Sequence, residues 1–144
     1  ADFVPPVHTF YTVEDSYNFS SPADCGYVCW PTVAPSSLRL YDSDAIPEWN
    51  GTFLMTTLKA GKIFHLVPAE NGTALASDPV ELFRSEDRYR DVAFSPDGST
   101  IYVITDSSGP VQGIEGGPIA EALRNPGSLL EFRYVGINQT GPTA

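Results

Sequence analysis

Arg88 and Arg90 stand two apart at the head of the stretch DRYRDVAFSPDGSTIYVITD, residues 87–106. In extended backbone, alternate side chains point to the same face. Two guanidiniums would then look one way about 7 Å apart, at a rise of ~3.3–3.4 Å per residue. Neither loses its proton. Such a pair is chemistry for holding an anion, and something anionic is expected in front of it. The competing reading is a surface cluster, with Asp87, Asp91 or Glu86 as partners.

The rest of the composition sharpens this expectation. The 144 residues carry 8 Lys and Arg against 18 Asp and Glu, a net charge of −10. Three of those eight cations, Arg84, Arg88 and Arg90, fall within seven residues. An acidic chain offers no nucleic-acid footprint and no basic membrane patch. No apolar run approaches the ~20 residues of a membrane span. The opening ADFVPPVHTF is not a processing signal. The chain is therefore expected to start after a cleavage or inside a longer protein.

Two cysteines read CGYVC, Cys25 and Cys29. A metal site would need further ligands, and His8 and His65 are not suitably spaced. The pair reads as a small-ring disulfide in an oxidising compartment, or as two buried thiols. A ring that short restrains the unfolded chain by only roughly 2 kcal/mol. Four N-x-S/T sequons occur, at Asn18, Asn50, Asn71 and Asn138. Together they favour a secretory, extracellular route and glycosylation; individually each is also a common turn pattern.

The elements that must position these groups are strands. Residues 1–24 are rich in Pro, Ser and aromatics and read as an extended lead-in. Strands are expected at 37–41, 52–58, 62–67, 80–83, 90–94, 100–105 and 127–135, with a frayed tail at 136–144. SPDG, residues 95–98, suits a type I turn. PIAEALRN, in the loop 107–127, is the one weakly helical stretch. LRL finds its counterpart in VAF 54 residues later, and TFLMTTL in TIYVITD 48 later. A period near 50, with up to four strands per unit, predicts an all-β fold of propeller blades. Two blades cannot bury both outer faces, so a larger ring is expected. A free-standing β-sandwich is the alternative.

CWPTVAPSS (29–37), TTLKAGKIF (56–64), RYRDVAFSPDGSTIYVITD (88–106) and NPGSLLEF (125–132) together resemble the C-terminal part of the soluble quinoprotein sugar dehydrogenases. That is the glucose/sorbosone dehydrogenase family, including its fungal secreted pyranose dehydrogenase branch. The resemblance covers roughly residues 25–135. It implies a six-bladed β-propeller of which this chain is about two C-terminal blades, with pyrroloquinoline quinone and Ca²⁺ in the central funnel. It also implies sugar oxidation by hydride transfer to the quinone, a histidine as base, and an external electron acceptor such as a haem domain. By resemblance, Arg88, Arg90, Lys59 and Thr32 contact the cofactor, while Tyr27 and Trp30 lie near the sugar. The base and the calcium ligands would sit in earlier blades, on the remainder of the same propeller.

Each assignment has an ordinary counterpart. Lys59 would be a solvated hairpin residue, as its neighbour Lys62 is expected to be. Thr32 would be a turn hydroxyl bonded to local backbone. Tyr27 and Trp30 would be aromatics packed under a loop. His65 lies on none of the family's motifs and reads as packed. A glycosylated extracellular binding module without cofactor is the functional alternative, and a purely structural fragment a weaker one.

Overall fold

A computed structural model describes residues 2–11, 13–20, 30–112, 119, 120 and 122–136. Cys25, Cys29, Tyr27 and Asn138 lie outside the described residues. Residues 2–11 and 13–20 carry neither helix nor strand. Strands β1 (Pro35–Tyr41), β2 (Thr52–Thr57), β3 (Ile63–Leu66) and β4 (Val80–Leu82) form one antiparallel sheet in chain order. Strands β5 (Tyr89–Phe94), β6 (Thr100–Thr105) and β9 (Leu129–Arg133) form a second, three-stranded sheet. A ribbon of β7 (Val111–Gln112) and β8 (Ile119–Ala120) lies between β6 and β9 in the chain. Among the described residues, no helix is long and apolar enough to cross a membrane.

Period-2 alternation decides which residues are buried between the sheets. Leu54 and Ile63 of the first sheet meet Tyr89, Val92, Ile101 and Val103 of the second, with Phe94, Leu130 and Phe132 packed around them. The other face of the first sheet gathers Met55, Phe64 and Leu66 against Val33, Phe10 and Leu75. Leu38 and Leu40 on that same face stay half exposed, at 51% and 50%. On the second sheet, Ile104 and Leu129 remain exposed. Each sheet is thus a blade whose inner face is filled and whose outer face is only partly covered.

The 54-residue repeat is also a contact. Ser36 Oγ donates to the carbonyl of Arg90, Ser37 Oγ to Asp91, and Ser43 Oγ to the carbonyl of Asp97, each pair 54 residues apart. Equivalent first strands therefore lie side by side, as adjacent blades do near a propeller axis. Both carry a register break at the same point: between Pro35 and Ser37 in β1, and between Tyr89 and Asp91 in β5. Ser36 and Arg90 are the extra residues of two matching β-bulges, a device that re-aims a side chain.

The β5–β6 hairpin closes through Ser95–Gly98 with Gly98 N–H on the Ser95 carbonyl at 2.8 Å. Gly98 has φ +74°, and a Cβ there would stand 2.1 Å from Ser43 Oγ. Tyr41 Oη, fully buried, donates to the Gly98 carbonyl at 2.7 Å and docks the tip onto the neighbouring blade. The helix expected in PIAEALRN does not form. Ile119 and Ala120 pair with β7 instead. At the far end of the stretch, the backbone of Asn125 is taken by Asp87 and Thr105 rather than by a helical turn.

Candidate functional site

Antiparallel pairing brings the start of β1, the β2–β3 turn, the start of β5 and the end of β6 to one end of the blades. Lys59 sits in that turn. Its N–H and that of Ala60 donate to the Val33 carbonyl at 3.2 Å, and Leu58 N–H to Ala34 at 2.9 Å. Gly61, φ +60°, lets the turn approach the Ser85 carbonyl, where a Cβ would come within 2.3 Å. Lys59 Nζ donates to the Trp30 carbonyl at 2.5 Å. Burial pushes the Lys59 pKa down. Lys59 is thus held, not freely solvated.

Arg88 immediately precedes β5, and Arg90 occupies its bulge. Both converge on Asp106. Arg90 Nε and Nη2 reach Asp106 Oδ1 and Oδ2 at 2.7 and 2.8 Å, a side-on bidentate pair. Arg88 Nε shares Oδ2 at 3.1 Å, and its Nη1 donates to the Pro110 carbonyl at 2.6 Å. The Arg88 and Asp106 side chains are mostly covered, at 17% and 15% exposure, whereas Arg90 is 51% exposed. Burial raises the Asp106 pKa, but hydrogen bonds from Arg90 and Arg88 outweigh it and hold the carboxyl below its usual range.

The anion in front of the arginine pair is therefore one of the chain's own carboxylates. Asp106 is none of the three acids expected as surface partners. Asp87 is fully buried and accepts from Asn125 N–H and Nδ2 at 2.5 and 2.7 Å. Asp91 instead takes Ser37 and Arg39. A signal for Asp106 was present in the hairpin register. In that register Thr105 pairs with Tyr89, and Asp106 comes next to Arg88, whose carbonyl accepts the Asp106 N–H.

One aspartate between two guanidiniums leaves a surplus of one positive charge. Arg90 Nη1 has no partner among the described residues, and Lys59 uses one of its three donors. The same end of the blades joins Lys59 to Arg88 through a short segment: Arg88 donates to Pro110, and Gln112 N–H donates to the Lys59 carbonyl at 2.6 Å.

The remaining expected residues divide. Thr32 Oγ1 accepts Ala34 N–H at 2.9 Å, a local turn bond that supports the positive φ of Ala34. Thr32 also lines a cavity of about 840 Å³ on the apolar outer face of the first sheet, with Phe10, Leu38, Phe53 and Met55. Lys59, Arg88 and Arg90 do not line that cavity. Trp30 packs edge-on against Phe19 at 5.4 Å, and its Nε1 is buried with no partner among the described residues. Lys62, expected in solvent, is only 13% exposed and pairs with Glu81 at 3.0 Å, because β4 brings Glu81 opposite Phe64. His65 stacks on Trp49 at 5.2 Å with Nε2 2.8 Å from Thr52 Oγ1, a packed histidine whose pKa burial lowers.

The glucose/sorbosone dehydrogenase family model matches residues 11–112. Quinoprotein glucose dehydrogenase B of Acinetobacter calcoaceticus is 46% identical over 138 residues, covering 92% of this chain and 28% of that protein. An uncharacterized protein of Synechocystis sp. is 37% identical over 78 residues, covering 54% of this chain and 18% of that protein. The chain thus spans less than a third of the length of the curated relatives it matches. Matched over most of its length and built of two adjoining antiparallel blades, this chain belongs to the glucose/sorbosone dehydrogenase family.

Proposed function

We propose that this chain supplies two C-terminal blades, and part of the cofactor cradle, of a pyrroloquinoline quinone-dependent sugar dehydrogenase. The observation that carries the reading is the cation set at one end of the blades. In a chain of net charge −10, Arg88 and Arg90 share a single aspartate, and Lys59 is joined to them through residues 110–112. The donor chemistry fits a planar quinone bearing three carboxylates. Arg90 is half exposed and keeps spare N–H groups aimed away from Asp106, suited to charge-assisted hydrogen bonds. Lys59 keeps two donors unpaired among the described residues, and its partial burial strengthens any ion pair it makes.

When bound, the quinone accepts the hydride leaving the sugar's hydroxyl-bearing carbon, with Ca²⁺ as Lewis acid. The chain's own residues bind and orient. Arg88 and Arg90 would hold the quinone through its carboxylates, and Lys59 would offset its negative charge. Thr32 keeps its hydroxyl hydrogen for donation, since its oxygen accepts from Ala34. Trp30 and Tyr27 would be the aromatic partners of the pyranose ring. The general base and the calcium ligands belong to other blades. The half-exposed Leu38 and Leu40 support a further blade packed on the first sheet.

The same reading places the protein outside the cell, in the fungal pyranose dehydrogenase branch, with electrons passing to an external acceptor such as a haem domain. It makes Cys25 and Cys29 a disulfide and Asn18, Asn50, Asn71 and Asn138 glycosylation sites. Asn18, Asn50 and Asn71 are exposed, which supports that assignment. The test is reconstitution of the complete protein with pyrroloquinoline quinone and Ca²⁺, followed by addition of aldoses. A stoichiometric chromophore bleached by sugar is the expected result. A complete, folded protein that takes up no quinone would instead be the cofactor-free binding module.

A further inference from the structure

We propose that Asp106 is a positioning residue for the arginine pair, fixing both guanidiniums before any cofactor arrives. The inference rests on the reading above that Arg88 and Arg90 meet an anionic cofactor.

Three features of the geometry carry it. First, one carboxylate holds both arginines. Oδ1 takes Arg90 Nε, and Oδ2 takes Arg90 Nη2 and Arg88 Nε, so the spacing of the two cations is set by one rigid group. Second, Asp106 is itself anchored. Its N–H donates to the Arg88 carbonyl at 2.9 Å, and its carbonyl accepts Gly127 N–H at 2.9 Å. The carboxylate thus projects from a strand end tied on both sides. Third, the surroundings are shaped to this arrangement. Arg88 is backed by Gly109, φ +112°, where a Cβ would stand 2.8 Å from Arg88 Nε. The bulged backbone of Arg90 is held by Ser36 Oγ at 2.6 Å and Thr56 Oγ1 at 3.4 Å.

Arg90 gains most. A half-exposed arginine otherwise samples many rotamers, and that freedom is lost on binding. With Asp106 in place the ordering is done in advance, which is how preorganisation raises affinity. The aspartate also cancels one positive charge, so it trades long-range attraction for fixed geometry. Its removal would leave the site more positive but looser. Binding should then weaken and become more dependent on salt.

The experiment uses the complete protein and pyrroloquinoline quinone as probe, in a double-mutant cycle of Asp106→Asn and Arg90→Ala. Asp106→Asn is expected to weaken quinone affinity about tenfold with a steeper salt dependence, and to cost clearly less once Arg90 is Ala, when only Arg88 is left to be held. Additive losses, or tighter binding by Asp106→Asn, overturn the proposal. A second readout needs no cofactor: the arginine Nε–H resonances of the free protein. Those of Arg88 and Arg90 should exchange slowly in the wild type and lose that protection in Asp106→Asn. Unchanged protection overturns the proposal even if affinity falls. If the wild type binds no quinone yet protection is lost on substitution, the cofactor reading fails and the positioning role stands. Asp106→Glu, which keeps the charge but displaces it by one methylene, should show a smaller loss in both measurements, and it carries the test if the Asn variant does not fold.

Discussion

Arg90→Ala separates a cofactor cradle from a surface ion pair, because the two readings assign its cost to different quantities. Arg90 is 51% exposed, and among the described residues its guanidinium pairs with Asp106 alone. An exposed pair contributes little to folding, about 0–1 kcal/mol, and salt screens it further. A charge-assisted hydrogen bond to a bound carboxylate is worth more, about 1.5–3 kcal/mol. The variant should therefore lose roughly 10- to 150-fold in quinone affinity, at ~1.4 kcal/mol per tenfold, while its thermal midpoint without cofactor barely moves. Arg88→Ala provides the contrast. Arg88 is mostly covered and also satisfies the Pro110 carbonyl, so its loss leaves Pro110 and Asp106 short of partners. That variant should lose stability as well as affinity. The assay is a quinone absorbance titration beside calorimetric melting of the same preparations. If Arg90→Ala keeps its affinity and loses stability as Arg88→Ala does, the arginines are a structural cluster and the reasoning fails.

Other expectations bear on the blades. Gly98→Ala forces a side chain into φ +74° and within 2.1 Å of Ser43 Oγ; urea unfolding should show a loss of about 2–4 kcal/mol from left-handed strain and overpacking together. Leu54→Ala removes a fully buried side chain between the two sheets and should cost about 2–5 kcal/mol in the same measurement. Acid should destabilise the cofactor-free protein. Asp106, Asp91 and Glu81 all have folded pKa values below their ordinary ones, so their contribution is complete above the unfolded value and drains as pH falls below about 4. Asp106→Asn should flatten that part of a stability-versus-pH curve; an unchanged slope would detach Asp106 from the acid response. His65, lowered by burial, adds an earlier loss as pH falls through about 6.5.

Much of the blade architecture was legible because it rests on local rules. Alternation marked β1, β2, β5 and β6, turn chemistry marked SPDG, and the 54-residue offset marked the repeat of the blade. The site was legible in composition but not in arrangement. Alternation put Arg88 and Arg90 on one face, yet the two meet through a bulge whose extra residue is held by Ser36 of the other blade. Such a contact spans 54 residues and leaves no local trace. Asp106 stands 16 and 18 residues from Arg90 and Arg88 in sequence, and only strand pairing delivers it from across the hairpin. Lys62 misled for the same reason: its partner Glu81 comes from β4, two strands on from β2. PIAEALRN carried helical residues, but pairing of Ile119–Ala120 with Val111–Gln112 and capture of Asn125 by Asp87 prevailed over propensity.

The central claim is that Lys59, Arg88 and Arg90 grip one flat polycarboxylate. A crystal structure of the complete protein grown with pyrroloquinoline quinone tests it most directly. The account predicts quinone carboxylates within hydrogen-bonding distance of Arg90 and Lys59, with Asp106 still bridging the two arginines. Quinone bound elsewhere, with these three cations facing only the chain's own oxygens, would contradict it.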